Sequence, residues 1–241
     1  MMAIPYQNKK SSKKQQVEEM FDKIADKYDF FNHFFSLSID KIWRKKTINL
    51  LKAHNPETIL DIATGTGDLA IEASKLKPKK IVGIDISEGM LKVGKEKISR
   101  KNLQNMIELK KGDAEKLEFD NEYFDTAIVA FGVRNFENLE KGINEIFRVL
   151  KPAGKFVVLE FSKPKNAIIK FLYAIYFQLY LPIIGKLFSS DTGAYTYLPE
   201  SVKTFPDGEK FLNKLKNVGF TETKQISLSM GIASIYVAKK S

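Results

Sequence analysis

An α/β fold built on a doubly wound, mostly parallel sheet is predicted by three features of this 241-residue chain. Between Thr58 and Glu160, short β-type runs alternate with segments whose apolar residues recur at helical spacing. Such alternation calls for crossover connections and hence parallel strands. The first β-type run, T-I-L-D-I from Thr58, breaks into A-T-G-T-G-D-L-A. There Gly65 and Gly67 free the backbone for a tight strand-to-helix turn that brings main-chain N–H groups up to a ligand. The chain then finishes in two β-type runs, Thr221 to Leu228 and Ile232 to Lys239, joined through Gly231 as an antiparallel hairpin. A single α/β domain with helical additions and seven strands fits the length.

Residues 1–56 read as an N-terminal helical cap. The stretch up to about Gln16 is polar and expected to be mobile. Val17, Met20, Phe21, Ile24 and Ala25 then recur at helical spacing and predict a short amphipathic helix leading to Tyr28. The following Y-D-F-F-N-H-F-F-S-L-S-I-D is dense in aromatics, which suits core packing, while the polar insertions Asp29, Asn32 and His33 suit a pocket lining equally well. A further helix, Ile42 to Ala53, carries the only tryptophan, Trp43, and is closed by Asn55-Pro56.

The core, 57–160, contains strands at Ile59 to Ile62, Lys80 to Ile84, Met106 to Lys110, Phe124 to Ala130 and Lys155 to Glu160. Helices are expected at Leu69 to Leu76, Glu88 to Arg100 and Leu139 to Leu150, the last ended by Lys151-Pro152-Ala153-Gly154. In the insertion, 161–206, Ala167 to Phe188 is the most apolar stretch of the chain, interrupted by Lys170, Gln178, Pro182 and Lys186. It falls short of the ~20 uninterrupted apolar residues of a spanning helix. It reads as one or two helices that form a substrate lid, lie against a bilayer or simply pack on the core. A helix from Gly208 to Asn217 and the hairpin complete 207–241.

The absence of cysteine excludes disulfides, thiolate metal sites, iron–sulfur clusters and a cysteine nucleophile. No metal is expected. The net charge of +10 and pI near 9.4 come from lysines spread along the chain. They suit an anionic membrane surface or a lysine-rich proteome better than nucleic acid, which asks for a basic stripe with interleaved aromatics. The N-terminus is basic but has no apolar core, so neither a signal peptide nor a spanning helix is expected there, and the location is expected to be cytoplasmic.

Ligands of such sheets bind outside the carboxyl ends of the strands, at the topological switch point. That rule selects Asp61 and the turn Gly65, Thr66, Gly67 and Asp68 after the first strand. At the end of the second, Asp85, followed by Ile86, is placed to accept both hydroxyls of a ribose. After the third, Asp113 and Ala114 are placed to meet an adenine edge. The fourth ends in Ala130, Phe131, Arg134 and Asn135, over the reacting end. Taken singly, Asp68 or Glu115 would pass for a solvated loop residue. A dinucleotide wants a third glycine and a helix N-terminus open to pyrophosphate. Here Ala63 stands where the series would begin, and Asp68 opposes negative charge at the helix start. S-adenosylmethionine, cationic and without phosphates, suits the turn better.

The chain resembles the quinone-biosynthesis C-methyltransferases that convert demethylmenaquinone to menaquinone, with the ubiquinone-pathway C-methyltransferase as sister. The resemblance rests on Y-D-F-F-N at 28–32, D-I-A-T-G-T-G-D-L at 61–69, G-D-A-E at 112–115, F-G-V-R-N at 131–135, R-V-L-K-P-A-G at 148–154 and L-E-F-S-K-P at 159–164. It spans nearly everything from Phe21 to Lys239. Ala153 departs from the usual glycine of K-P-G-G, and Ala70 and Ala130 stand where many members carry a hydroxyl. The resemblance implies a Rossmann-like class I methyltransferase fold, S-adenosylmethionine as donor and a prenylated quinol as acceptor. Contact with the cytoplasmic membrane face through Ala167 to Phe188 is also expected, and a homodimer is the first expectation.

Methyl transfer from a sulfonium is an in-line displacement that needs positioning and an electron-rich nucleophile. A quinol ring carbon becomes nucleophilic when the adjacent hydroxyl ionises, so the site needs a base or a cation that holds the phenolate. Arg134 cannot be a base near neutrality. It is expected to stabilise the phenolate, directly or through water, with Asn135 fixing orientation. Tyr28, Asp29, Asn32 and His33 are the other catalytic candidates; His33 has the intrinsic pKa of a base, though a structural histidine is the competing assignment. His54 is expected only to cap a helix end. Another phenolic or lipid acceptor is the chief alternative. A nucleic-acid methyltransferase lacks its Asn-Pro-Pro-aromatic motif here, a dehydrogenase lacks room for a substrate domain, and a non-catalytic membrane-binding protein remains the outside reading.

Overall fold

The computed structural model describes residues 3–36, 38–175 and 192–241, without the side chains of 31–35, 172, 192 and 195. Seven strands form one sheet: β1 Thr58–Ile62, β2 Lys80–Asp85, β3 Ile107–Lys111, β4 Phe124–Ala130, β5 Leu150–Phe161, β6 Phe220–Leu228 and β7 Ala233–Lys240. Their order is β3-β2-β1-β4-β5-β7-β6. The first five are parallel, and β7 runs antiparallel to both β5 and β6. The order reverses between β1 and β4, which places the switch point beside the glycine turn.

Alternate residues of the central strands feed two cores, as a sheet covered on both faces requires. Leu60, Ile62, Val82, Ile84, Ala127 and Val129 pack under α5 (Leu139–Val149) and α8 (Glu209–Val218). Ile59, Ile81, Ile128 and Val157 pack under α2 (Ile39–Asn49), α3 (Asp68–Ala73) and α4 (Glu88–Arg100). Ile59, Leu60 and Ile62 are wholly buried.

Three expectations change. The aromatic stretch continues the first helix, so α1 runs unbroken from Lys13 to Phe35. The polar leader is docked: Ala3 joins Val17, Met20 and Tyr197 in a third small cluster, and the buried Gln16 accepts the Tyr6 N–H at 2.9 Å. The polar residues of the leader serve as its anchors, which composition alone does not reveal. K-P-A-G lies inside β5. Leu150 pairs with Phe124 and Lys155 with Thr126, so the four residues between bulge out of the ladder. Ala153 takes φ 62 there, the left-handed conformation that a glycine adopts without strain. Of the insertion 161–206, α6 (Ala167–Ile175) is helical as expected for the apolar stretch, whose part from residue 176 to Phe188 lies outside the described residues, and α7 covers Thr192–Thr204 beyond that stretch. No described helix is long and apolar enough to cross a membrane.

Candidate active site

The glycine turn is fixed from both sides. Thr64 N–H donates to Ile84 O of β2 and Gly67 N–H to Thr64 O, each at 2.9 Å. Ala63, Gly65 and Gly67 all take positive φ, at 52, 56 and 79°. Phe131, at the end of β4, does the same at 58°. A Cβ on Gly132 would lie 2.6 Å from that of Ala63, so these two strand ends approach too closely for a side chain at 132. Strain gathered at one spot is common where a chain holds a ligand.

A cavity of about 70 Å3 opens at these strand ends. Its floor includes Ala63, Gly65, Asp85, Ile86, Asp113, Ala114, Ala130 and Phe131, one or more from each of the four strand ends expected. Asn135 lines the same cavity, and so does Tyr28. Asp85 is buried, with Oδ2 accepting from Gly65 N–H at 2.8 Å and Oδ1 from Ser87 N–H at 2.9 Å. A carboxylate offers about four lone-pair sites, so both oxygens can still accept from a ligand. Burial pushes Asp85 up to about 6 against those backbone N–H groups. Asp113 Oδ1 accepts from Glu115 N–H at 2.9 Å, and Oδ2 pairs with Lys14 at 2.6 Å.

Asp61 is wholly enclosed. Thr64 donates to Oδ2 at 2.6 Å, and Oδ1 has no hydrogen-bond partner. Burial lifts this carboxyl to about 7. A folded-state pKa raised above the unfolded value means that the folded chain binds the extra proton, so stability falls as pH rises from about 4 to about 7. Asp61→Asn keeps an acceptor for Thr64 and carries no charge. It is expected to stabilise the chain by about 2–4 kcal/mol above pH 7, at 1.36 kcal/mol per pKa unit, with little gain at pH 4. Urea unfolding at pH 4.5 and 8 measures this; equal effects at both would remove the titration.

Other expected residues lie apart from the cavity. Thr66 donates to Asp29 at 2.5 Å, and Lys97 bridges Asp29 at 2.7 Å and Asp68. Asp68 also faces Arg44 at 3.6 Å. The acidic helix start is thus already matched by cations of the chain. Gly67 caps α3. Arg134 turns inward: its guanidinium pairs with the wholly buried Glu160 at 2.8 Å, donates to Phe131 O, and has a buried Nε without a partner. It does not line the cavity. Burial raises Glu160 against the pull of Arg134. His54 contacts Asp125 O at 3.1 Å, at the amino ends of the strands. The side chains of Asn32 and His33 lie outside the described residues.

Sequence reasoning missed several residues. Lys14, Val17 and Phe21 share one face of α1 with Tyr28, which the sequence had already offered, and together they roof the cavity. Lys13 is buried and donates to Arg134 O and Phe136 O at 3.0 and 2.8 Å. Burial, then Arg134, pulls this lysine down to about 8. Glu115, buried instead of solvated, accepts from Glu137 and Asn138 N–H at 2.7 and 3.0 Å. Glu160 and Tyr197 could be found only from tertiary contacts.

The backbone cradle at Gly65 and the buried carboxyl of Asp85 suit a cationic nucleoside without phosphates, while the enclosed Asp61 lies behind the glycine turn and does not line the cavity. Residues 9–240 match the model of the ubiE/COQ5 methyltransferase family. The chain is 46% identical to a demethylmenaquinone methyltransferase of Bacteroides fragilis, over 98% of this chain and 96% of that protein. It is 39% identical to a ubiquinone/menaquinone biosynthesis C-methyltransferase of Geobacter sulfurreducens, over 95% and 90%. Among solved structures, a putative S-adenosyl-L-methionine-dependent methyltransferase of Methanococcus maripaludis shares the fold at TM-score 0.64, with 20% identity over 98% of this chain and 97% of that one. Sheet order, strand-end residues and full-length similarity agree, and the chain belongs to the ubiE/COQ5 methyltransferase family.

Proposed function

We propose that the chain methylates a ring carbon of demethylmenaquinol with S-adenosylmethionine, forming menaquinol. The observation that carries this is the shared cavity, lined at once by Asp85 and Gly65 of the donor side and by Asn135 and Tyr28, under one helix. S-adenosylmethionine, when bound, supplies an electrophilic methyl on a sulfonium. Asp85 would hold the ribose hydroxyls, Asp113 and Ala114 the adenine edge, and Asp61 would favour the cationic methionine end. Ile86 and Phe131 supply apolar walls.

On the acceptor side, Asn135 faces the oxygen that must carry negative charge. Arg134 spends its charge on Glu160, so its part is to shape the F-G-V-R-N turn more than to meet the phenolate. Asp29 is engaged by Thr66 and Lys97. That leaves His33 as the cap residue whose intrinsic pKa suits the departing proton, with Asn32 and Tyr28 as orienting groups.

The exposed Ile168 and Phe171 on α6, with Lys165 and Lys170 nearby, support contact with an anionic bilayer at the cytoplasmic face, where a prenylated substrate resides. The second copy of a homodimer remains part of the proposal.

One experiment tests both. Demethylmenaquinol and the ubiquinone-pathway precursor are supplied in neutral and in anionic vesicles with methyl-labelled donor. Label is expected in demethylmenaquinol, fastest on anionic vesicles. No label in either quinol sinks the acceptor; equal rates on both vesicles without co-sedimentation sink the membrane contact.

A further inference from the structure

Asn135 can serve a phenolate only if its amide presents N–H to it. An amide that rotates by half a turn presents its carbonyl oxygen instead and repels the same charge. The amide therefore needs a partner that tells its two ends apart.

That partner comes from α7. The hydroxyl of Tyr197 donates to Asn135 Oδ1 at 3.0 Å. On the other side Asn135 Nδ2 stands 3.5 Å from Phe131 O. Rotating the amide would set Oδ1 against that carbonyl, two acceptors face to face, so the network fixes one orientation. Nδ2 has two hydrogens, and the long contact to Phe131 uses one at most.

Tyr197 is itself held firmly. It is 2% exposed and packs with Ala3, Val17 and Met20, so the docked leader and α1 clamp it. Burial drives its hydroxyl well above the usual phenol range. It stays a neutral donor and cannot act as the base. Its ring is 62 residues from Asn135 in sequence, on the helix that follows the inserted apolar segment. No motif marks it.

We propose that Tyr197 is a positioning residue for the methyl transfer, which locks the Asn135 amide so that its N–H faces the quinol oxygen. This rests on the quinol-methylation reading above. Tyr197 does not itself line the cavity but packs in one cluster with Val17, which does, so a variant that keeps the ring and removes the hydroxyl isolates the bond to Asn135.

The test is a double-mutant cycle on the full chain with demethylmenaquinol. Tyr197→Phe keeps the ring and its packing. It is expected to lower kcat about 10-fold, the scale of one neutral hydrogen bond, with KM for S-adenosylmethionine within about twofold of the parent on the same grounds. Asn135→Ala should cost more, and Tyr197→Phe in that background should cost nothing further. Additive losses, or an unchanged kcat in Tyr197→Phe, overturn the positioning role. A matched fall in donor affinity overturns it too, since that would mark general loosening of the site. A parent chain that binds the donor but leaves the quinol unlabelled overturns the acceptor assignment, and this inference with it.

Discussion

Asp85→Ala is expected to remove measurable binding of S-adenosylmethionine. The side chain ends β2 inside the cavity and has two jobs. It offers lone pairs to a ligand, and it ties the Gly65 and Ser87 N–H groups at 2.8 and 2.9 Å. Hydrogen bonds to a charged group contribute roughly 1.5–3 kcal/mol each. Losing two to the ribose implies a fall in affinity of at least about 100-fold, before any slackening of the turn. Titration calorimetry reads this directly. Asp85→Asn should retain a fraction of the affinity, since one acceptor survives. In the parent chain affinity should rise with pH through about 6, where burial has set this carboxyl, and level off above it. Near-normal affinity in Asp85→Ala, or a flat profile from pH 5 to 7, would show that the ribose lies elsewhere.

Glu160→Ala is expected to cost about 3–5 kcal/mol of stability, the range for breaking a buried pair by removing one partner. Glu160 is wholly buried and the Arg134 side chain is 7% exposed. The substitution would strand a guanidinium whose Nε already has no partner. The turn that carries Asn135 runs from Val133 through Arg134, whose N–H reaches Glu160 at 3.3 Å, so methyl transfer should fall with stability. The double change Arg134→Met with Glu160→Leu should recover most of the stability and little of the activity. Chemical denaturation distinguishes the cases; a single variant as stable as the parent would mean that the guanidinium finds another route to water.

The sheet was legible because its signals are local. Apolar runs of the right period, a G-T-G turn and a hairpin glycine each act within about ten residues. Strand-end logic then located Asp85, Asp113, Ala114 and Phe131, because a carboxyl end is a sequence position. Side-chain direction was not legible. Arg134 sits in a motif that points to the cavity, yet its guanidinium swings to β5, where Glu160 lies 26 residues on. Asp68 looked free at a helix start, but Lys97 comes from another helix entirely. The length of α1 was hidden by the aromatic density of residues 28–35, which reads as a break in amphipathic spacing. Lys13 and Gln16 illustrate the opposite failure: polar residues taken as solvated that are buried because each meets backbone groups.

Helix α1 is fastened by the packing of Val17, Met20 and Phe21 and, around them, by charge. Lys14 holds Asp113 at 2.6 Å, Lys111 holds Glu18 at 2.9 Å, and Asp29 holds Lys97 at 2.7 Å. Asp22 takes the Ser87 hydroxyl and the Gly89 N–H at 2.6 and 3.0 Å. Lys14, Val17, Phe21 and Tyr28 of the helix line the cavity beneath, so a donor bound there would lie under it. Partly exposed ion pairs contribute about 0.2–1 kcal/mol each and weaken once the Debye length shrinks below ~8 Å. Added salt is therefore expected to loosen these ties of the helix and to leave the buried floor of the site untouched, which donor association rates across a salt series would check.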